Sequence, residues 1–118
     1  MVHALLMKTL EPPIFVVDGE DVLIFRSREG AENSLEPPVR GLRAFDAIGN
    51  RLSLATCRER WLGIERDTVL LSPTEGEVTG ADELAGALRR YLAGAFRDQD
   101  LSSVPLSSLV KFAAELAK

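Results

Sequence analysis

Residues 14–25 read IFVVDGEDVLIF, two apolar runs of four residues separated by an acidic break that contains Gly19. Val, Ile and Phe favour extended strands, and the break has the composition of a chain reversal in which glycine takes a positive φ. The stretch therefore predicts a β-hairpin. Because so short a connection cannot form a parallel crossover, the two strands must pair antiparallel.

A short helix is predicted directly after this hairpin. Residues 27–36 contain no β-branched side chain, begin with Ser27 as a candidate N-cap, and are followed by Pro37 and Pro38. Proline disfavours helical backbone at the residue before it, so the helix must end by residue 36.

The middle of the chain changes to a period of two. Leu52 and Leu54 alternate with Arg51 and Ser53, which predicts a strand with the leucines inside and Arg51 outside. Residues 42–45 precede it across a turn and complete a second hairpin. Residues 61–64 and 68–71 are two further β-like runs with a polar break at residues 65–67, either two strands or one bent strand.

The last third predicts two amphipathic helices. Thr79 to Asp82 has capping-box spacing, and apolar residues recur every three or four positions over residues 84–96 and, after Pro105, over residues 106–117. The fold class is therefore α+β, an antiparallel sheet of about five to six strands with one short helix after the first hairpin and two C-terminal helices. We expect residues 12–118 to form a single domain and residues 1–11 to be a poorly ordered N-terminal extension.

Composition excludes several classes of protein. The chain has 118 residues, 46% of them apolar, as expected for one globular domain, and its strongly apolar runs are far too short to span a bilayer. With one cysteine, Cys57, and one histidine, His3, zinc sites and Cys-His or Ser-His catalytic pairs are disfavoured. We expect no metal, no cofactor and no enzymatic activity, with Cys57 as a buried free thiol. The N-terminus lacks the features of a secretion signal, which favours a cytoplasmic protein.

The net charge of −4 is unevenly distributed. Residues 39–66 carry six basic and three acidic groups, whereas the segments on both sides are acidic. Most of these arginines are expected to be solvent-facing positions of strands. A chain with an isoelectric point near 5.0 and seven aromatic residues is not typical of nucleic-acid-binding domains.

Acidic residues next to turns are candidates for chemistry. Residues 18–21 contain three acids but lack the ligand spacing of a calcium loop, so a structural turn is the better interpretation. Glu36 and Asp46 each lie beside a turn and next to apolar residues, and they are the candidates for a carboxylate-only active site.

Trp61 lies in the basic segment, near Arg58, Arg60 and Arg66. The single tryptophan of a small domain is commonly part of its core. An exposed tryptophan among arginines is instead typical of a protein-binding hot spot, and these four residues form the candidate binding site.

Two stretches carry a resemblance to known proteins. They comprise residues 14–18 through Phe25, Ser27, Glu29, Ala31, Glu32, Leu35 and Glu36, and then Phe45-Asp46-Ala47-x-Gly49 through Leu52. Over residues 12–56 the chain resembles small, mostly uncharacterised bacterial proteins, some of them similar to immunity partners of toxins. Where such motifs place acid-isoleucine-acid after leucine-glutamate, this chain has Pro37-Pro38-Val39, and the resemblance transfers no functional residue.

Two functions are therefore predicted as alternatives. The first is a small cytoplasmic binding protein with a protein partner, in the form of an immunity-type inhibitor of a bacterial toxin. The second is a small-molecule-binding or carboxylate-only enzymatic domain with its pocket between the sheet and the helices. We expect no nucleic-acid or membrane partner, and the sequence leaves open whether the protein is a homodimer.

Overall fold

A computed structural model describes residues 10–74 and 80–116, except for the side chain of Trp61. The strands are β1 (Ile14–Asp18), β2 (Asp21–Phe25), β3 (Arg43–Phe45), β4 (Arg51–Trp61) and β5 (Ile64–Pro73). The helices are α1 (Arg28–Ser34), α2 (Ala81–Ala93) and α3 (Leu106–Leu116). This confirms the predicted α+β class, with a helix after the first hairpin and two helices at the C-terminal end.

The described strands form one antiparallel sheet in the order β2-β1-β3-β4-β5. The first hairpin closes where Asp18 pairs with Asp21, and Gly19 takes a φ of 62°. β1 has a strand on each side and a core on each face, which explains why its apolar run does not alternate with polar residues. Phe15 and Val17 belong to one cluster of buried residues, and Ile14 and Val16 to the other.

Helices cover the two faces of the sheet unequally. Helices α2 and α3 bury Leu84, Leu88 and Leu109 against the face that carries Phe15 and Phe45. On the other face, Ala31 of α1 and the following Leu35 pack against Ile14, Leu52 and Leu71. No helix in the described part of the chain has the length and apolar character that crossing a membrane requires.

Capping and proline signals in the sequence mark where helices α1 and α3 begin. Ser27 caps α1, because its Oγ accepts a hydrogen bond from the Gly30 amide at 2.9 Å, and α3 begins directly after Pro105. Thr79, the predicted cap of α2, lies outside the described residues. Residues 1–9 of the predicted extension also lie outside them, whereas the Glu11 carbonyl accepts a hydrogen bond from the Ala47 amide at 2.7 Å.

Three local expectations were wrong. The polar break at residues 65–67 is not a break, because β5 runs through it and the chain reverses at Leu62-Gly63 instead. Cys57 is exposed rather than buried, since β4 extends beyond the part of the sheet that helices cover. Arg51 does not simply face solvent, because it donates to Glu83 of α2 at 3.1 Å and lies 5.7 Å from the ring centre of Phe45.

The loop between β3 and β4 anchors helix α2 to the sheet. Gly49 has a φ of 91°, and its carbonyl accepts a hydrogen bond from the Gly80 amide at 2.8 Å, just before α2 begins. A β-carbon at position 49 would lie 2.6 Å from the Cα of Ala81. The close approach of loop and helix therefore requires glycine at this position.

We expect Gly49→Ala to destabilise the protein by more than about 2 kcal/mol, because it combines a strained φ with a backbone clash. Gly41→Ala is the matched control, since Gly41 has a φ of 88° but open space around its added β-carbon. The control should lose only about 1 kcal/mol. Urea unfolding of both variants tests this, and equal losses would show that the contact with Ala81 is not tight.

Candidate functional site

The outer part of the β4–β5 hairpin extends beyond the rest of the sheet. β3 pairs with β4 only at Arg51 and Leu52, whereas β4 and β5 remain paired as far as Trp61 and Ile64. We call residues 55–68 the arm. Residues 55–60 and 62–67 are all exposed, so the arm is a two-stranded ribbon with little core beneath it.

Ion pairs cross the arm from strand to strand. Arg58 approaches both Glu65 and Asp67 at 3.4 Å, Arg60 lies 2.6 Å from Glu65, and Arg66 lies 3.6 Å from Glu59. All of these side chains are 42–75% exposed, so each pair contributes little to stability. Their main effect is that three arginines and three acids cancel, and the arm has no net charge.

The structure separates the predicted binding residues. Arg58 and Arg60 lie opposite Asp67 and Glu65 on one face of the ribbon, because directly paired residues share a face. Arg66 lies opposite Glu59 on the other face. Trp61 is the last residue of β4, and its side chain lies outside the described part of the structure. The three arginines therefore do not form a single basic patch.

The tip of the arm is apolar and strained. Leu62 and Gly63 form the reversal with φ values of 51° and 78°, as a type I′ turn requires. Asparagine and glycine favour this turn, whereas a leucine with positive φ is unusual. Leu62 is 79% exposed and Ile64 is 65% exposed, so neither is held in place by a core.

The sequence pattern predicts a break at residues 65–67, three residues after the reversal that the structure shows at Leu62-Gly63. The two-residue segment Leu62-Gly63 between two β-like runs was the available signal, since glycine is common in such turns. Leucine at the first turn position concealed this signal, because leucine is more common in helices and strands than in turns.

We expect Leu62→Asn to stabilise the arm by about 0.5–1 kcal/mol, because asparagine tolerates the left-handed conformation that leucine disfavours. Gly63→Ala should have the opposite effect, as its φ of 78° disfavours any side chain. Amide hydrogen exchange of residues 55–68 measures both changes. Unchanged exchange in Leu62→Asn would mean that Leu62 is not strained.

Asp46 is a structural carboxylate. It is 1% exposed, and its Oδ1 accepts hydrogen bonds from the amides of Ile48 and Asn50 at 3.2 and 2.9 Å. Its Oδ2 accepts from the side-chain amide of Asn50 at 3.2 Å and from the Glu11 amide at 3.4 Å. With four donors around it, Asp46 holds the loop between β3 and β4 in place.

Glu36 lies in a different environment. It is exposed and lines a groove of about 320 Å³ between α1 and β5, which also includes Glu32, Arg66 and Val69. Asp46 does not line this groove. The two carboxylates that the sequence singled out therefore do not converge on one site.

We expect Asp46→Ala to cost about 1–3 kcal/mol of stability, because it removes a carboxylate that accepts four partly buried hydrogen bonds. Glu36→Ala should change stability by less than about 0.5 kcal/mol, as is usual for an exposed side chain. Thermal unfolding compares the two variants directly. A large loss in Glu36→Ala would mean that this side chain has a structural role in the groove.

Three further features of the described residues concern possible catalytic groups: metal ligands, the Asp100 carboxyl and the space between the sheet and the helices. They contain no group of three or more His, Cys, Asp or Glu side chains placed to hold a metal. Hydrogen bonds from the side chain and backbone of Ser102 hold the pKa of Asp100 below its ordinary value, which favours the ionised form rather than a general acid. The interface between the sheet and helices α2 and α3 is filled by buried apolar side chains, among them Phe45, Leu84 and Leu88.

Comparison with known proteins adds no relative. No protein-family model matches the chain, and no significant match is found among curated proteins or solved structures.

Proposed function

We propose that this chain is a small binding protein that contacts a protein partner through the apolar tip of the arm. The observation that carries the proposal is Leu62, a leucine in a left-handed turn conformation with 79% of its surface exposed. An asparagine would suit the turn better and a polar residue would suit the solvent better. A residue that satisfies neither local requirement is most simply explained by a contact made outside the chain.

The surroundings of the tip fit a contact surface. Ile64 adds a second exposed apolar side chain near the tip, and the charged residues Glu59, Arg60 and Arg66 line the same surface depression as Ile64. Apolar anchors at the centre of a polar rim are the usual arrangement of protein interfaces. Arg58 lies two residues further from the tip than Arg60, and Trp61 remains part of the proposed surface by its position at the end of β4.

The partner class follows from charge and resemblance. An arm without net charge on a chain of charge −4 does not attract nucleic acid, because phosphate binding requires an excess of Lys and Arg. An acidic cytoplasmic protein can inhibit a basic enzyme by covering it, and electrostatic attraction then accelerates association. We therefore propose an immunity-type inhibitor of a toxin, which is also the role that the sequence resemblance implies.

The alternative function has less support. A pocket between the sheet and the helices is disfavoured by the apolar core that fills this interface. A carboxylate-only active site is disfavoured because the hydrogen bonds of Asp46 are used to order a loop and Glu36 lies in a separate groove.

The test uses the product of the neighbouring reading frame as the candidate partner. Isothermal titration calorimetry should detect binding by the unaltered protein. Leu62→Asp should weaken the affinity by at least about tenfold, or 1.4 kcal/mol, because it places a charge at an apolar contact. Leu23→Asp is the matched control, since Leu23 is also an exposed leucine, at 42%, but lies on β2.

The control variant should bind with unchanged affinity. Equal losses in both variants would indicate a general effect of negative charge, and equal retention would exclude the tip as the contact. Failure of the unaltered protein to bind the neighbouring product would contradict the immunity-type proposal.

A further inference from the structure

A tight turn at residues 39–42 ends the pairing of β3 with β4. The Leu42 amide donates a hydrogen bond of 3.1 Å to the Val39 carbonyl, and Gly41 has a φ of 88°, as the third residue of a type II turn requires. Continuing the register of β3 with β4 would place Leu42 opposite Leu54. Because the turn uses the Leu42 amide, the chain leaves the edge of β4 at this point.

The edge of β4 has unused backbone groups beyond this point. The Leu71 amide faces away from β4, because β5 is the last strand of the sheet and this amide donates a hydrogen bond of 2.7 Å to Glu32 of α1. Leu71 pairs with Leu54, so the backbone groups of Leu54 also point away from β5, and those of Thr56 point the same way. Within the described residues, no hydrogen bond reaches these groups. Two amide donors therefore lie free on the side of the turn.

An open cleft of about 730 Å³ lies between the turn and this edge. Its walls include Val39 and Leu42 from the turn and Leu54 from the strand. All three side chains are half-buried and pack against the apolar cluster that contains Ile14 and Leu71. The volume is in the range of small-molecule sites, and the cleft combines an apolar surface with two unused backbone donors.

The cleft also has a positive charge that no acid compensates. Arg40 lies at the corner of the turn, lines the cleft, is exposed and has no ion-pair partner among the described residues. Arg51 lines the cleft as well, but it pairs with Glu83 at 3.1 Å. The described lining residues include no Asp or Glu, although acidic residues outnumber basic ones 18 to 14 in the whole chain. The cleft is therefore suited to a single negative charge.

We propose that this cleft binds a small amphipathic carboxylate, with its charged end near Arg40 and the amides of Leu54 and Thr56, and its tail along Val39 and Leu42. A carboxylate has two acceptor oxygens, so it can accept from a guanidinium and from backbone amides at once. It carries one negative charge, whereas a phosphate monoester carries nearly two and exceeds the one free cation. The site goes beyond the partner contact proposed at the tip of the arm and does not depend on it.

Other classes of ligand fit the cleft less well. An ammonium group would be repelled by Arg40 and could not accept from the free amides. An alcohol could accept from an amide but would leave the charge of Arg40 without a counter-charge. An inorganic anion would leave the apolar walls at Val39 and Leu42 in contact with water.

The first experiment is an NMR titration of the full chain with hexanoate, a carboxylate with a short apolar tail. We expect saturable shifts of the Leu54 and Thr56 amide signals and of those of residues 39–42. Hexanol has the same tail without the charge and should bind at least about threefold more weakly. Hexylammonium should leave these signals unchanged. Equal affinity for hexanoate and hexanol, or unmoved Leu54 and Thr56 amides, would overturn the proposal.

A pair of arginine variants tests the charge. Arg40→Gln should weaken hexanoate binding by at least about threefold and leave hexanol binding unchanged, because only the carboxylate pairs with the guanidinium. Arg97→Gln is the matched control, since Arg97 is also exposed but lies between α2 and α3 and does not line the cleft. The control should bind hexanoate as the unaltered chain does. Equal losses in both variants would indicate a general effect of net charge and would overturn the role of Arg40.

One further variant separates the cleft from the tip of the arm. Leu62→Asp leaves the cleft intact, so it should bind hexanoate like the unaltered chain while losing the proposed partner. Arg40→Gln should show the reverse, with weaker hexanoate binding and an unchanged affinity for the partner. Loss of hexanoate binding in Leu62→Asp would place the carboxylate at the apolar tip and would overturn the cleft as its site.

Discussion

Burial of β1 on both faces is the constraint on which the rest of the fold depends. Its four apolar residues divide between two clusters, Ile14 and Val16 against α1 and Phe15 and Val17 against α2 and α3. β1 also pairs with β2 on one side and β3 on the other. Helices pack on both faces of this strand, so the other elements of the fold are arranged around it.

The helices cover less of the sheet as the distance from β1 increases. At β3 and the first residues of β4, the sheet is still covered, and Arg43 and Arg51 both reach Glu83 of α2. Further along β4, none of the helices in the described part of the chain covers the hairpin, so the side chains there contact solvent and each other. The division between a body with two cores and an arm with few buried residues follows directly from the three-residue length of β3 compared with the eleven residues of β4.

The sequence predicted most of the body and little of the arm, for a physical reason. The spacing of apolar residues in a sequence reflects which face of an element is buried. The hairpin at residues 14–25 and the two C-terminal helices each have a buried face, so each leaves such a pattern in the sequence. In the arm the alternation of Arg58-Glu59-Arg60 is polar on both faces, so it gave no strand signal, and the turn was assigned to the wrong residues. Glu36 and Asp46 looked equivalent in sequence because burial, which distinguishes them, depends on contacts such as that between Asp46 and Glu11.

A two-stranded ribbon without a core of its own need not melt together with the body that carries it. Isolated hairpins are marginally stable in water, so the outer residues of the arm can open while both cores remain intact. Any partner that clamps the ribbon must then order it, and part of the contact energy is spent on that ordering. The cross-strand ion pairs and the tight reversal at Gly63 restrict the ribbon before a partner binds, and so they lower this entropic cost. The exposed charges can therefore contribute to recognition even though they contribute little to stability.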